Sequence, residues 1–267
     1  MTHALDTLVT LLGLEPLEEN LFRGHSQDLG FPQLFGGQVL GQALSAASQT
    51  VDPSRRVHSL HGYFLRPGDA KRPVVYQVDR VRDGGSFTTR RVSAIQNGKT
   101  IFFCSASFHG EEEGLHHQST MPDLSRPDEL MASGMDVVSF KGHPIEFLHF
   151  PDDESVPQKR LWFRLAGDLP EDTILNRYLL AYSSDFNLLT SSLVPHGIKF
   201  GDPRLQIASL DHALWFHRDV KVNDWLLYDM ESPWAGGARG FARGSIYSQQ
   251  GQLVASSAQE GLIRMRG

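Results

Sequence analysis

Cysteine is almost absent from this chain, since Cys104 is the only one among its 267 residues. One cysteine cannot form an intrachain disulfide or a cysteine-rich zinc site, and nothing indicates an oxidising compartment. Cys104 lies in the apolar run TIFFCSASF, where a small buried side chain is expected rather than a nucleophile. We therefore expect a protein that is held together by its core.

An excess of positive charge is also missing, because 25 Lys and Arg stand against 31 Asp and Glu. The formal net charge of -6 disfavours a protein that binds nucleic acid through an overall basic field. No apolar run approaches the ~20 residues of a membrane span. The N-terminus has no basic leader with a small-residue cleavage site, and the C-terminal RMRG is not a peroxisomal signal. We expect a cytoplasmic protein with neither a nucleic-acid partner nor a membrane span.

The common catalytic and cofactor motifs are missing as well. There is no Gly-x-Ser-x-Gly nucleophile elbow, since GGSFT lacks the final glycine. No Walker sequence or dinucleotide glycine fingerprint follows a strand. The stretch HPIEFLH contains His143, Glu146 and His149, but these alternate with apolar residues in a predicted strand and lack zinc spacing. We therefore expect neither a cofactor nor a metal.

The chain does contain an internal duplication. Residues 84–110 and 236–261 each read as a double glycine, a strand, a turn and a second strand. The turns Asn97-Gly98 and Gln250-Gly251 fall at matching places and predict two hairpins. Upstream of each pair lies a further matched strand, beginning near Val57 in the first half and Ile207 in the second, and a helix precedes the strands in each half.

This pattern predicts an α+β fold made of two tandem repeats, each a long helix wrapped by a curved antiparallel sheet. The predicted boundaries are residues 1–110 for the N-terminal repeat and 141–267 for the C-terminal repeat. Residues 111–140 are polar, proline-bearing and aperiodic, and they are predicted to form the linker.

An acid stands where the second helix should be apolar. The stretch AYSSDFNLLTSSL, residues 181–193, has helical spacing, and Asp185 lies on its apolar stripe. The residues three, four and seven positions away are apolar or aromatic: Tyr178, Ala181, Tyr182, Leu188 and Leu189. Buried charge is kept where it is paired, metal-bound or functional. A structural ion pair is the alternative to a catalytic role.

Two more polar residues lie in apolar surroundings in the second half, Ser209 in IASLDHALWF and Gln259 in VASSAQEG. Overlaying the repeats on their turns places Ala106 opposite Gln259, and Ser59 opposite Ser209. The first half has no acidic residue at the helix position equivalent to Asp185. The asymmetry predicts one working site in the second repeat, which the first repeat mainly supports.

Seven motifs together resemble the acyl-CoA thioesterase II (TesB-type) family over almost the whole chain: FGGQVLGQAL, VHSLHGYFLRPGD, RDGGSFTTRRVSAIQNGK, SSDFNLL, IASLDHALWFHR, LLYDMESPWAGGARGF and LVASSAQEGLIR. The resemblance implies a double hotdog fold and hydrolysis of fatty acyl-CoA to fatty acid and CoA. The catalytic aspartate, hydroxyl residue and glutamine of that family fall on Asp185, Ser209 and Gln259, which would act jointly on a water. The resemblance also implies a homo-oligomer, either a dimer or a tetramer.

Two other functions stay open. A hotdog hydratase or dehydratase acting on enoyl-CoA or hydroxyacyl-CoA would need an Asp-His pair. Asp211 and His212 are adjacent in a predicted strand, so their side chains point to opposite faces. A module that only binds acyl-CoA would leave three matched residues without a role. The arginines that could anchor CoA phosphates, or simply be exposed strand residues, are Arg90, Arg91, Arg239 and Arg243.

Overall fold

The computed structural model describes residues 3–31 and 33–266, so the predicted outer boundaries at residues 1 and 267 lie outside the described residues. The first half contains the elements α1 (His3–Leu12), β1 (Glu15–Glu18), β2 (Leu21–Gly24), α2 (Gly36–Ser48), β3 (Arg56–Phe64), β4 (Val74–Asp83), β5 (Phe87–Gln96) and β6 (Lys99–His109). The rest contains α3 (Pro127–Ala132), β7 (Val138–Ser139), β8 (Ile145–His149), β9 (Gln158–Leu165), α4 (Thr173–Ser183), a 3-10 helix (Leu189–His196), β10 (Leu205–Ser209), β11 (Asp211–Phe216), β12 (Leu226–Gly236), β13 (Arg239–Ser248) and β14 (Leu253–Met265).

The strands form one antiparallel sheet in the order β1-β2-β4-β5-β6-β3-β11-β14-β13-β12-β9-β8-β7, with β10 also paired to β14. The two halves meet at the β3-β11 pair, in which Asp211 lies opposite Tyr63 and Trp215 opposite Ser59. Outward from this pair, β3-β6-β5-β4-β2 and β11-β14-β13-β12-β9 follow the same order. This topology confirms the predicted duplication.

The predicted hairpins are present at both turns. Asn97 and Gly98 have φ values of 51° and 69°, the left-handed conformations that a two-residue hairpin turn requires. In the second hairpin Gly251 has a φ of 80°. These turns set the register of β5 against β6 and of β13 against β14, and so decide which side chains reach the same face of the sheet.

The main core lies between the helices and one face of the sheet, and α2 and α4 contact each other within it. Glycines in α2 allow the close approach. A Cβ at Gly41 would lie 3.1 Å from the carbonyl oxygen of Tyr178, and one at Gly37 would lie 2.2 Å from that of Tyr182. These contacts make the helices antiparallel, so the start of α2 lies beside the end of α4. No helix of the described residues is long and apolar enough to cross a membrane.

The prediction that residues 181–193 form one continuous helix is wrong. Helix α4 ends at Ser183, and a turn and the 3-10 helix follow. Within the turn Asn187 has a φ of 67°, a left-handed conformation that an α-helix cannot contain. Asp185 therefore lies just past the end of α4 rather than on its apolar stripe, where a turn can direct its carboxylate towards the start of α2.

The linker is more structured than its composition indicates. It contains α3, and it covers the other face of the sheet in the second repeat with a separate apolar cluster. The buried members of this cluster are Leu130, Leu148, Trp162, Trp225, Leu227 and Tyr247. Leu227 faces this cluster while its neighbour Tyr228 faces the main core, as alternation along a strand requires. The linker therefore stabilises the second repeat as well as connecting it.

The expected structural role of Cys104 is confirmed. Its side chain is fully buried in the main core, on β6. Burial raises the pKa of the thiol to about 12, because a thiolate would lose its hydration there. A thiol with this pKa is protonated at physiological pH and is a poor nucleophile.

Candidate active site

The structure brings together the three residues that the family resemblance singled out. Asp185 comes from the turn after α4, Ser209 from the end of β10, and Gln259 from the middle of β14. The amide nitrogen Nε2 of Gln259 lies 2.8 Å from Oδ1 of Asp185 and 3.0 Å from Oγ of Ser209. The Asp185 side chain is 6% exposed and Gln259 is fully buried, whereas Ser209 is half-buried. The site is therefore open on the Ser209 side.

The Gln259 side chain has a free acceptor. Its amide nitrogen is occupied by Asp185 and Ser209, whereas its oxygen Oε1 is buried and has no hydrogen-bond partner among residues 3–31 and 33–266. The reverse orientation of the amide would place Oε1 against the Asp185 carboxylate, and two acceptors repel each other at such a distance. A buried polar atom without a partner is costly, so Oε1 marks a place where an outside donor fits.

The Asp185 carboxylate is held in a low-dielectric environment. Its side chain is 6% exposed, and burial raises its pKa above the ordinary value because the charged form loses hydration. Hydrogen bonds from Gln259 and from the backbone N-H of Gly37 partly oppose this rise. The result is an ionisable carboxylate that is more basic than a solvated one, as a general base requires.

The start of α2 belongs to this site, although it comes from the first repeat. The residue before the helix, Phe35, provides no side-chain cap, so the first backbone N-H groups are available to other acceptors. Gly37 uses its N-H to bind Asp185. A Cβ at Gly36 would lie 2.7 Å from Oδ2 of Asp185, so only glycine permits this approach. The site is therefore built from both repeats.

His212 was not predicted as a site residue, yet it contacts the site directly. It lies on β11, is fully buried, and places Nδ1 3.3 Å from Nε2 of Gln259 and 3.8 Å from Oδ1 of Asp185. Burial lowers the pKa of the ring to about 3, so it is neutral at physiological pH. The sequence did contain a signal, because His212 alternates with the buried Leu214 and Phe216 on one face of a strand.

Asp211 faces away from His212, as predicted from their adjacency. Its carboxylate accepts the backbone N-H of Glu260 at 2.6 Å and does not join the Asp185 network. The Asp-His pair that a hydratase or dehydratase would need is therefore not formed by these two residues.

The predicted correspondence of Ser59 with Ser209 is wrong by two residues. Val57 pairs with Phe108, and Ser209 pairs with Gly261. Phe108 and Gly261 lie equally far from their hairpin turns, so Val57 is the structural counterpart of Ser209. Both repeats have a register shift here, after Val57 in the first and after Ser209 in the second, so the shift is not the cause. The Ser-Leu dipeptide that VHSLH and IASLD share misaligns the two strands by two residues.

In the first repeat a buried arginine lies beside Ala106, the residue that is equivalent to Gln259. Across β5 and β6, Arg90 pairs with Ala106, whereas across β13 and β14 Ala242 pairs with Gln259. The Arg90 side chain is 1% exposed, and its Nε donates to Oγ1 of Thr50 at 2.9 Å. Arg90 thus occupies the interior of the first repeat and is not an accessible anchor for CoA.

The other three candidate anchors lie on the outer side of the sheet with partners of their own. Arg91 lies 5.3 Å from the centre of the Phe103 ring, Arg239 pairs with Glu260 at 3.3 Å, and Arg243 pairs with Glu231 at 2.5 Å. None of these contacts is to the Asp185 network.

Comparison with known proteins shows the family of this chain. Residues 139–262 match the family model described as acyl-CoA thioesterase, and residues 26–109 match the acyl-CoA thioesterase N-terminal domain. The chain is 40% identical to acyl-CoA thioesterase 2 of Haemophilus influenzae over 283 residues, which covers 99% of each protein. The chain belongs to the acyl-CoA thioesterase family. Within that family, a solved acyl-CoA thioesterase II, TesB2 from Mycobacterium marinum, superposes with a TM-score of 0.86 at 43% identity and 98% coverage of both chains.

The fold of this acyl-CoA thioesterase family member is the double hotdog that the resemblance implied. A protein with a hot dog fold from Alicyclobacillus acidocaldarius superposes with a TM-score of 0.82 over 100% of both chains. Their sequences are only 17% identical, so this likeness shows the fold alone.

Proposed function

We propose that this protein hydrolyses fatty acyl-CoA to a free fatty acid and CoA at the Asp185 site. The observation that carries the proposal is the free Oε1 of Gln259 beside a buried, basic carboxylate. A water seated there can donate one hydrogen to Asp185 and the other to Gln259. These two hydrogen bonds both position the water and activate it for attack.

Ser209 completes the environment of this water. Because Gln259 already donates to Oγ of Ser209, the serine hydroxyl proton is free to be donated to the water oxygen. With two hydrogens donated and one hydrogen bond accepted, the water keeps one lone pair for attack. Ser209 thus orients the water and does not act as a nucleophile.

The reaction balances with these groups alone. The water oxygen forms a bond to the thioester carbonyl carbon while Asp185 takes one of its protons. The tetrahedral intermediate then collapses, the carbon-sulfur bond breaks, and the CoA thiolate receives the proton from Asp185. The uncapped N-terminus of α2 is the source of backbone donors that we propose for the oxyanion, since it already directs the N-H of Gly37 into the site.

A hydratase or dehydratase is less well supported. Asp185 and His212 do approach to 3.8 Å, but Nε2 of His212 is 2.9 Å from Oγ of Ser184 and Nδ1 faces Gln259. Both ring nitrogens are therefore engaged by the protein, and the ring has no exposed atom to exchange protons with a substrate.

The function is tested by incubating the protein separately with hexanoyl-CoA, palmitoyl-CoA and crotonyl-CoA. A thiol reagent reports free CoA, and ultraviolet absorbance reports the enoyl double bond. The proposal predicts free thiol from a saturated acyl-CoA. Loss of enoyl absorbance without thiol release would indicate a hydratase, and neither signal would indicate a binding module.

The activity is expected to decline at acid pH. As the pH falls through the raised pKa of Asp185, the carboxylate becomes protonated and can no longer act as a base. The acid limb of kcat/KM should therefore lie above the ordinary aspartate pKa of about 3.9, with about a tenfold loss per pH unit below it. Steady-state rates with hexanoyl-CoA from about pH 4 to pH 8 check this, and a profile that is flat to pH 4 would contradict it.

Ser209→Ala is expected to lower kcat by about tenfold or more, because the water loses a hydrogen bond that orients it. Ser59→Ala is the control, since Ser59 is a buried strand serine that pairs with Trp215 and lies outside the site. It should change mainly stability, by about 1 kcal/mol. Measuring kcat and the thermal midpoint of both variants with one substrate decides the matter. Equal kinetic losses would remove Ser209 from its assigned role.

We also propose a cytoplasmic homo-oligomer, a dimer or a tetramer. Large aromatic side chains are exposed on strands of the sheet, including Tyr63 at 55%, Phe87 at 50% and Trp234 at 47%. Exposed apolar surface of this kind commonly marks a contact between proteins. Light scattering at micromolar concentration should show a mass above that of one chain, and a monomer would contradict the proposal.

A further inference from the structure

We propose that His212 is a positioning residue for the hydrolysis: Ser184 orients its ring, and the ring in turn holds the Gln259 amide so that Oε1 faces the reacting water. The inference rests on the proposed function and adds a residue to Asp185, Ser209 and Gln259. His212 itself contacts neither the water nor the thioester.

The orientation begins at Ser184, which lies at the end of α4. Its Oγ is 2.9 Å from the carbonyl oxygen of Ala181 and 2.9 Å from Nε2 of His212. A carbonyl oxygen can only accept, so the single hydroxyl proton of Ser184 is donated to Ala181. The Ser184 oxygen must then accept a proton from Nε2 of His212.

The backbone of Ser184 is fixed independently. The hydroxyl of Tyr228 donates to the Ser184 carbonyl oxygen at 2.9 Å, and it lies 2.8 Å from Oγ of Ser257. All of these side chains are buried. The donor pattern at Ser184 is therefore not free to rearrange with solvent.

A neutral imidazole carries one N-H, so a proton on Nε2 leaves a lone pair on Nδ1. This lone pair faces Nε2 of Gln259 at 3.3 Å. The other tautomer would set an N-H against the amide hydrogens of Gln259 and leave two acceptors facing each other at Ser184. Full burial of His212 keeps the ring neutral, as its pKa of about 3 indicates.

The Gln259 amide then has one favourable orientation. One of its N-H groups points to Asp185, and the other lies between Ser209 and Nδ1 of His212. The opposite orientation would place Oε1 against acceptors at both Asp185 and His212. Oε1 therefore stays directed at the water.

His212 matters most in the middle of the reaction. When Asp185 has taken the proton of the water, it becomes a neutral acid that can donate as well as accept. Its preference for the amide N-H of Gln259 is then weakened. The Nδ1 lone pair of His212 does not change in this step, so it retains the amide orientation until Asp185 has passed its proton to the thiolate.

Two substitutions at one position separate this role from simple packing. An asparagine at 212 can place its amide oxygen close to the position of Nδ1, and so keep an acceptor for Gln259. A glutamine reaches towards the position of Nε2, and so keeps the contact to Ser184 but not the acceptor. We expect His212→Asn to keep kcat within about threefold of wild type and His212→Gln to lose about tenfold or more, with KM changed by less than about twofold in both.

A double variant gives the second readout. In a Gln259→Ala background, His212→Gln should cause little further loss of kcat, because His212 acts through the Gln259 amide. Thermal midpoints measured alongside report the packing cost of each substitution. Equal kcat values for His212→Asn and His212→Gln, or losses that multiply in the double variant, would overturn the inference.

If the variants at position 212 do not fold, Ser184→Ala serves instead, since it removes one oxygen and frees the tautomer. We expect kcat to fall by about threefold to tenfold, and an unchanged kcat would overturn the inference. Failure of the proposed function is distinguishable, because then wild type would release no thiol or Asp185→Asn would stay active. The inference alone fails when wild type is active, Asp185→Asn is inactive and the variants at 212 behave alike.

Discussion

Asp185→Asn is expected to lower kcat for a medium-chain acyl-CoA by roughly two to four orders of magnitude, with the fold intact. The amide has the same shape as the carboxylate but cannot take a proton from the water. In the described part of the chain, no other carboxylate joins the hydrogen-bonded network around Gln259 to act in its place. Thiol release from hexanoyl-CoA under saturating conditions measures the effect.

Asp211→Asn is the matched control, because this neighbouring carboxylate accepts a backbone N-H that an asparagine oxygen can also accept. It should keep kcat within about threefold. If Asp185→Asn itself stays within about threefold of wild type, the aspartate is structural and the proposed mechanism is wrong.

Asp185→Asn is also expected to change the stability of the folded state, in a direction that follows from the raised pKa. Because folding raises the pKa of Asp185, the carboxyl ionises more readily in the unfolded chain. The stability of the folded state therefore falls as the pH rises from the unfolded pKa to the folded pKa, and stays lower above both. At neutral pH, Asp185→Asn removes this cost, and its thermal midpoint should be equal to or higher than that of wild type.

Gly36→Ala is expected to lower kcat/KM by about two orders of magnitude. A Cβ at this position would lie 2.7 Å from Oδ2 of Asp185 and 3.0 Å from Cζ of Phe64. Either the carboxylate or the start of α2 must then move by a few tenths of an ångström to 1 Å, and displacements of this size cost about 100-fold in rate. Alanine would ordinarily favour a helix over glycine by about 1 kcal/mol, so a loss here reports the site and not helix propensity.

Gly85→Ala provides the control for Gly36→Ala. In the described part of the chain, no atom outside its immediate neighbours lies within 4 Å of a Cβ at Gly85, and its φ is not in the left-handed region. It should keep kcat/KM within about twofold. Retained activity in Gly36→Ala would show that the start of α2 is not part of the catalytic site.

Local sequence signals were sufficient for the repeats and for the buried polar residues. Asn97-Gly98 supplies two left-handed residues for the first turn and Gly251 supplies one for the second, so both hairpins were predictable from turn chemistry. Asp185 and Gln259 stood out because a polar residue in an apolar setting is costly. Their convergence could not be derived from spacing, since it depends on how β14 lies against the end of α4.

Three features of the site could not be predicted from the sequence, each for a different physical reason. The Ser-Leu dipeptide shared by the two repeats places Ser59 opposite Ser209, whereas strand pairing makes Val57 the counterpart, because a two-residue identity does not determine strand register. Asp185 follows the helix because the chain turns there, although its spacing fits a helix. Gly36 enters the site only through the antiparallel packing of α2 on α4, a contact between the two repeats. His212 is different, since its place on the inward face of β11 was visible in the alternation.

The central claim is that Asp185 acts as a base on water and does not attack the thioester itself. A single turnover of hexanoyl-CoA in ¹⁸O-labelled water, with enzyme in excess, tests it directly by mass spectrometry of the acid and of the peptide that contains Asp185. Direct attack by water predicts one ¹⁸O atom in the hexanoic acid and none in the protein. Unlabelled acid together with ¹⁸O in Asp185, or an acylated protein during turnover, would contradict the account.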